Sequence, residues 1–264
     1  MNIDTLLSDM WQQYISHNQQ AEKIHSLLLD EGENIVNDHI ALRTFNHPSI
    51  NIDVLGDFFI EFGYEEKEDY HFEEKKLSAK HYRHPTKDVP LIFISELKCE
   101  EFSNDFQKTI DQLIEAIPNK AINNPKFLTS GIHWPMISKT TYDVLLKESE
   151  YAAWLATFGF RANHFTVTVN KLKNYNLLEL NAFLKKNGFK LNTSGGEIKG
   201  SASVYLEQSS TLAEPINIEF SDGKAKVPCC YYEFAQRHML PSGEIFTGFI
   251  SKSADKIFES TNKK

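Results

Sequence analysis

Three segments of this 264-residue chain pair a chemistry-bearing side chain with a strand-like pattern: "DHIALRTF" with His39, "NHFTVTVN" with His164 and "YYEFAQR" with Glu233. Side chains alternate across a strand. His39, Ala41 and Arg43 therefore share one face of the first segment, opposite Ile40 and Leu42. His164, Thr166 and Thr168 share a face of the second, opposite Phe165, Val167 and Val169. Tyr231 and Glu233 share a face of the third, opposite Cys230, Tyr232 and Phe234. Two neutral imidazoles and a carboxylate on polar strand faces predict a facial triad suited to Fe(II), Mn(II) or zinc. Such a triad leaves adjacent positions for a chelating substrate and dioxygen. Arg43 lies on the same face as His39, a second polar group on an otherwise apolar strand.

Each of these residues also has a plainer explanation. The chain has ten histidines, and an isolated histidine more often serves the surface or the core than a metal. Recurrence of the same Asx-His opening in two strands is what raises His39 and His164 above the rest. Asp38 and Asn163 precede them, but alternation points both to the opposite face, so neither is assigned to fix an imidazole tautomer. Glu233 lies in an aromatic run where an unpaired carboxylate is costly to bury; its partner is either a cation or Arg237. His81 and His84 in "HYRH" read as solvated surface, and His133 in "SGIHWP" as a loop residue. Gln208 in "YLEQSS" either hydrogen-bonds a substrate or ends a strand.

The elements that carry these residues repeat. Helical spacing covers residues 3 to 15 and continues through Ile24, Leu27 and Leu28. The first histidine strand is followed by a helix in "INIDVLGDFFIEFGY" closed at Gly63, by the edge strands of "YEEKEDYHFEEKKLSAKHYRHP", and by the buried strand "VPLIFISEL". "DFQKTIDQLIEAI" and "TTYDVLLKESEYAAWLATFG" form a helical middle. The second histidine strand then leads to "LLELNAFLKKNGF", a helix closed at Gly188. Strands in "GSASVYLEQSS" and "INIEFSDG" come next, and the last strand is "VPCCYYEFAQR". Both halves read strand, helix, three strands, which indicates a duplicated unit whose two sheets complete one structure. Aligning the Val-Pro strands sets Ser95 opposite Glu233, or Glu96 after a one-residue shift. The expected class is α+β: paired βαβββ modules in a partly open, barrel-like sheet with a metal-lined interior and flanking helices. One domain spans residues 1–264, with N-terminal helices over about 1–34, module one over about 35–100, a helical connector over about 101–160 and module two over about 161–264.

A net charge of −8 argues against a nucleic-acid footprint. No apolar run reaches the roughly 20 residues of a membrane span, and the N-terminus has the pattern of neither a signal nor a transit peptide. Cys99, Cys229 and Cys230 show no disulfide framework. The expectation is a cytoplasmic protein that acts on small molecules; the sequence leaves its oligomeric state open.

"DHIALRTF", "NHFTVTVN", "YYEFAQR" and the tail "GFISKSADKIFEST" together resemble the 2-oxoadipate dioxygenase/decarboxylase family, which is similar to the vicinal-oxygen-chelate enzymes built from paired βαβββ modules. The resemblance spans roughly residues 35 to 260. It implies Fe(II) on His39, His164 and Glu233, and a substrate-binding Arg43. It also implies decarboxylation and hydroxylation of a 2-oxo acid with dioxygen, 2-oxoadipate giving 2-hydroxyglutarate and carbon dioxide. The same ligands would serve a zinc- or nickel-dependent isomerase or lyase. Without metal, the paired sheets would make a small-anion binding module. The apolar Phe246, Phe249, Ile250, Ile257 and Phe258 favour packing of the tail against the domain.

Overall fold

The computed structural model describes residues 1–261. Two helices, α1 (Ile3–His17) and α2 (Gln19–Asp30), precede the first module. Asn2 and Asn18 cap them, each side chain accepting a backbone N–H of the first turn. Module one runs β1 (Asn37–Phe45), α3 (Ile52–Glu61), β2 (Glu65–Phe72), β3 (Leu77–Arg83) and β4 (Leu91–Leu97). The connector holds α4 (Asn104–Glu115), α5 (Asn119–Ile122), α6 (Lys139–Glu148) and α7 (Glu150–Phe158). The expected single helix over α6 and α7 is broken at Ser149. Its extended backbone ends α6, and its hydroxyl caps α7 by accepting from the Ala152 N–H.

Module two runs β5 (Ala162–Thr168), α8 (Leu177–Lys186), β6 (Lys199–Ser201), β7 (Leu206–Ser210), β8 (Pro215–Phe220), β9 (Gly223–Pro228) and β10 (Tyr231–Arg237); α9 (Ser251–Phe258) follows the tail loop. The main sheet has eight strands in the order β2-β3-β4-β1-β5-β10-β7-β6. β1 and β5 meet antiparallel at its centre, and each has a parallel partner on its outer side, β4 and β10. The two halves are therefore related by an approximate two-fold axis through the β1–β5 seam, and the α+β half-barrel expected from the repeat is present.

Two details depart from the repeat as read. "GSASVYLEQSS" is interrupted by Tyr205 in a left-handed conformation (φ 65°) and supplies both β6 and β7. "INIEFSDG" belongs to a separate hairpin, β8–β9, outside the main sheet. Val227-Pro228 consequently ends β9, whereas Val89-Pro90 leads into β4, so the Val-Pro match was a coincidence of composition. Pairing supplies the true register. His39 lies opposite Leu91 and His164 opposite Tyr231, which makes Phe93, and neither Ser95 nor Glu96, the counterpart of Glu233. Ser95 hydrogen-bonds Tyr151, and Glu96 accepts from the Ile52 N–H at the start of α3.

The turn from α7 into β5 positions everything downstream of it. Gly159 has φ +68°, and a Cβ there would lie 2.1 Å from the Gly131 carbonyl oxygen, where Gly131 bridges Phe160. Neither the dihedral nor the space admits a side chain. Gly159→Ala is expected to lower stability by more than about 3 kcal/mol, measured as the shift of the urea midpoint; an unshifted midpoint would show that the bridge yields freely.

Candidate metal centre

β1 delivers His39, β5 delivers His164 and β10 delivers Glu233, all buried on the concave face of the sheet. His39 Nε2 lies 3.5 Å from Glu233 Oε1, and His164 Nε2 lies 3.3 Å from Glu233 Oε2. One donor atom from each residue falls within 4.8 Å of the others. Neighbouring donors around an ion with bonds of about 2.1 Å stand about 3 Å apart, so the cluster has the dimensions of a ligand set.

The electrostatics also fit a cation. Glu233 is fully buried, and burial pushes its carboxyl up to about 6 against the pull of His39 and a Gln208 hydrogen bond. Its Oε2 has no hydrogen-bond partner. Burial, then the nearby His39 and Arg43, hold the His164 imidazole well below its ordinary value and hence neutral. A dry carboxylate oxygen without a partner beside a neutral imidazole nitrogen is what a divalent ion would satisfy.

Both histidines are oriented through Nδ1, and here the alternation argument is overturned. Asp38 Oδ1 lies 2.7 Å from His39 Nδ1, and Asn163 Oδ1 lies 3.1 Å from His164 Nδ1. The reason is a pair of register shifts in the seam. Asn37 pairs with Val167 and His39 with Thr166, so Asp38 is the extra residue. Ala41 pairs with His164 and Leu42 with Ala162, so Asn163 is the extra one. A bulge lets two successive side chains turn to one side. Each Asx-His pair thus carries its own orienting oxygen, which turns Nε2 toward the centre, where the Thr166 hydroxyl lies 3.1 Å from that of His39. The recurrent dipeptide was the available signal.

Arg237 extends this shell. Its Nε and Nη2 donate to the two carboxylate oxygens of Asp38 at 2.8 and 2.9 Å. Burial alone would raise the Asp38 pKa. The guanidinium and His39 outweigh it and hold the carboxyl well below its usual range. Arg237 therefore serves Asp38 and does not pair with Glu233. Its Nη1 donates to the carbonyls of Phe246 and Gly248. The tail thereby closes the cup: the Phe249 ring stands edge-on to His39 at 4.8 Å and packs on Phe93 at 4.9 Å.

Arg43 is buried two positions beyond Ala41, between the rings of Tyr151 and Trp154. Its Nη2 donates to Thr261 and its Nη1 lies 3.4 Å from Glu150. A cavity of about 210 Å³ reaches it from outside, lined also by Lys75, Lys76, Glu148 and Phe258. Gln208 touches the ligand set itself, its amide donating to Glu233 Oε1 at 2.5 Å, while its Oε1 has no partner. Tyr231 stacks on His164 at 4.5 Å, and its buried hydroxyl is also unpartnered. His84 and His133 lie outside the site: His84 bonds the Thr86 N–H, and His133 contacts Ser130 and stacks on Phe127.

A half-barrel of two βαβββ modules with two histidines and a carboxylate at its seam has the fold of a glyoxalase-superfamily protein from Ralstonia eutropha, with a TM-score of 0.79 at 19% identity over 92% of this chain and 84% of that one. The particular family follows from comparison: residues 2–246 match the family model of the 2-oxoadipate dioxygenase/decarboxylases, and the chain belongs to that family. It is 34% identical to the chloroplastic 2-oxoadipate dioxygenase/decarboxylase of Arabidopsis thaliana over 97% of this chain and 76% of that protein. Its fold is similar to the crystal structure of a hydroxyglutarate synthase from Oryza sativa in complex with 2-oxoadipate. The TM-score is 0.91 and the identity 36%, with 97% of this chain and 91% of that one covered. A protein from Shewanella frigidimarina, provisionally called a hydrolase, gives a TM-score of 0.90 at 48% identity, covering 95% and 98% of the two chains.

His81 corrects the surface reading of "HYRH". It is 1% exposed, on the concave face of β3 next to Phe249. Tyr70 donates to Glu68 and receives the Phe249 N–H, and the His81 Nδ1 lies 2.9 Å from the same hydroxyl. With the Tyr70 proton on Glu68, His81 is the donor in that contact. Burial pushes the His81 imidazole down to about 4, against the pull of Glu68. An unfolded chain takes up a proton near pH 6.5, which the folded chain refuses until about pH 4. Stability should therefore fall as pH drops through that window, by up to about 3 kcal/mol from this group. His81→Gln should flatten the dependence in urea titrations from pH 7 to 5; an equally steep slope would assign the titration to other groups.

Proposed function

We propose that the protein is an Fe(II)-dependent dioxygenase that converts 2-oxoadipate and dioxygen into 2-hydroxyglutarate and carbon dioxide. The atoms balance: both oxygen atoms enter, one carboxyl leaves as carbon dioxide, and the shortened acid keeps a new hydroxyl. The observation that carries this reading is the buried His39–His164–Glu233 cluster with an unpartnered carboxylate oxygen, on the same sheet face as a buried arginine. Membership of the family and the 2-oxoadipate complex of the rice relative support the substrate. A cytoplasmic location is part of the proposal, supported by three free cysteines.

His39, His164 and Glu233 would hold the iron, which supplies the redox chemistry that joins dioxygen to the 2-oxo acid. The protein's own groups do the rest. Asp38 and Asn163 keep both imidazoles turned with Nε2 toward the centre. Arg43 exchanges its contact with Thr261 for a substrate carboxylate, a charge-assisted pairing stronger than the neutral one it replaces. Phe93 and Phe249 keep water from the reacting carbon. Gln208 holds Glu233 and leaves its free oxygen toward the site.

Protein reconstituted anaerobically with Fe(II) should consume oxygen on addition of 2-oxoadipate, one carbon dioxide and one 2-hydroxyglutarate appearing per oxygen. Absence of oxygen uptake across a panel of 2-oxo acids would remove the dioxygenase reading; turnover without oxygen would favour an isomerase or lyase. His39→Ala and Glu233→Ala should each abolish stoichiometric metal binding. Arg43→Lys should retain the metal and raise KM by at least about 10-fold, because the fork is lost. Arg237→Lys should weaken metal binding by about 10- to 100-fold through Asp38 and His39, read by competition with a chelator; unchanged affinity would confine Arg237 to packing the tail.

A further inference from the structure

The buried arginines are Arg43, Arg161 and Arg237. Arg43 and Arg237 each face a carboxylate. Arg161, at the turn into β5, is 9% exposed and does not. Its Nε donates to the Phe158 carbonyl at the end of α7 at 2.8 Å. Its Nη1 is buried without a partner, and no carboxylate pairs with this guanidinium among the described residues. An arginine does not shed its proton to escape burial. Besides the Phe158 carbonyl it has, among the described residues, only the Phe158 ring, 6.0 Å from Cζ, so the charge lacks a counter-ion and is costly until an anion arrives from outside.

Space for such an anion adjoins it. Arg161 lines a groove of about 430 Å³ together with His17, Trp134, Met136, Phe158 and Phe220, a volume in the range of small-molecule sites. Ile132 and Met136, also in its lining, are 45% and 58% exposed. Glu219 borders the groove but pairs with Lys224, and His17 bonds Ser16 and Gln13. The groove shares no lining residue with the cavity that reaches Arg43.

We infer that this groove is a second binding site, separate from the metal centre, for a small organic carboxylate with a flat apolar body. The carboxylate completes the Arg161 guanidinium, and the body lies against the exposed Ile132 and Met136, beside Trp134. The competing explanation is that Arg161 only caps the C-terminus of α7, where a cation is favourable in its own right. The two differ in what happens when the charge is removed.

The test uses the full chain with 3-phenylpropionate as the probe and 3-phenylpropionamide as its neutral counterpart, read by melting temperature and tryptophan emission. The acid is expected to raise the melting temperature and change the emission through Trp134, and the amide to do neither. Arg161→Met should weaken acid binding at least about 10-fold. The same variant without ligand should melt no lower than the parent, because an apolar side chain replaces an uncompensated cation. Arg161→Gln, which keeps a donor for Phe158, should also lose binding and serves if the methionine variant does not fold. The site is refuted if acid and amide act alike, or if binding survives both substitutions, which would move it to Arg43. It is refuted equally if both ligand-free variants melt far below the parent, the result a simple cap requires.

Discussion

The structure is organised around one electrostatic debt, the carboxylate of Glu233 on an inner strand with no exposure to water. In a dry interior such a group either neutralises or acquires a counter-charge. Nothing that faces it supplies a permanent one. Arg237 is turned away to Asp38, Arg43 to Glu150 and Thr261, and Gln208 offers a neutral amide to one oxygen only. The other oxygen is left toward His164. The site thus has the charge to attract a cation, and the neutral His164 imidazole beside that oxygen is a donor suited to a metal ion.

That arrangement requires the two modules to meet in one register. A slip of one residue along β1–β5 would turn His39 or His164 to the opposite face. Bulges at Asp38 and Asn163 anchor the seam at two points and place a hydrogen-bond acceptor on each ring. From Asp38 the chain of contacts continues through Arg237 to the carbonyls of Phe246 and Gly248, so the tail that covers the centre is tied to the shell that orients His39. A single guanidinium links closure of the cup to the geometry of a ligand. Removing it would leave Asp38 with the His39 ring but without its guanidinium, and would take the same donor from the Phe246 and Gly248 carbonyls.

Much of this was legible in the sequence because it rests on strict periodicities. Alternation placed His39 with Arg43, His164 with Thr166, and Tyr231 with Glu233, and each set does share the concave face. The same rule failed at Asp38 and Asn163, since a bulge suspends alternation and has no marker of its own beyond the repeated Asx-His. Chain order misled at Val227-Pro228, where an inserted hairpin displaced the register by two residues. His81 was read as solvated surface because its neighbours in sequence include the charged Lys80 and Arg83, which reach solvent while the ring is buried. Burial of one side chain in an edge-ward strand depends on what the distant tail brings over it, here Phe249, and no local window contains that information.

The duplication also explains why the centre has a carboxylate on one side only. The register equates Phe93 with Glu233 and His81 with Ser210. Each module contributes a histidine at the seam, but only the second contributes a carboxylate. In the first module the matching position is an aromatic ring packed on Phe249, and its polar neighbour His81 is turned to Tyr70. A symmetric pair of carboxylates would surround a divalent ion with two negative charges and repel an anionic substrate. With a divalent ion bound, one carboxylate would leave a net positive centre facing an apolar wall. A 2-oxo acid presents the complementary pattern, with anionic and carbonyl oxygens at one end and methylene groups behind them. On the proposed function, the asymmetry between Phe93 and Glu233 would favour an anionic ligand with an apolar chain, and Arg43 on the same strand face as His39 would take a second negative charge on that chain.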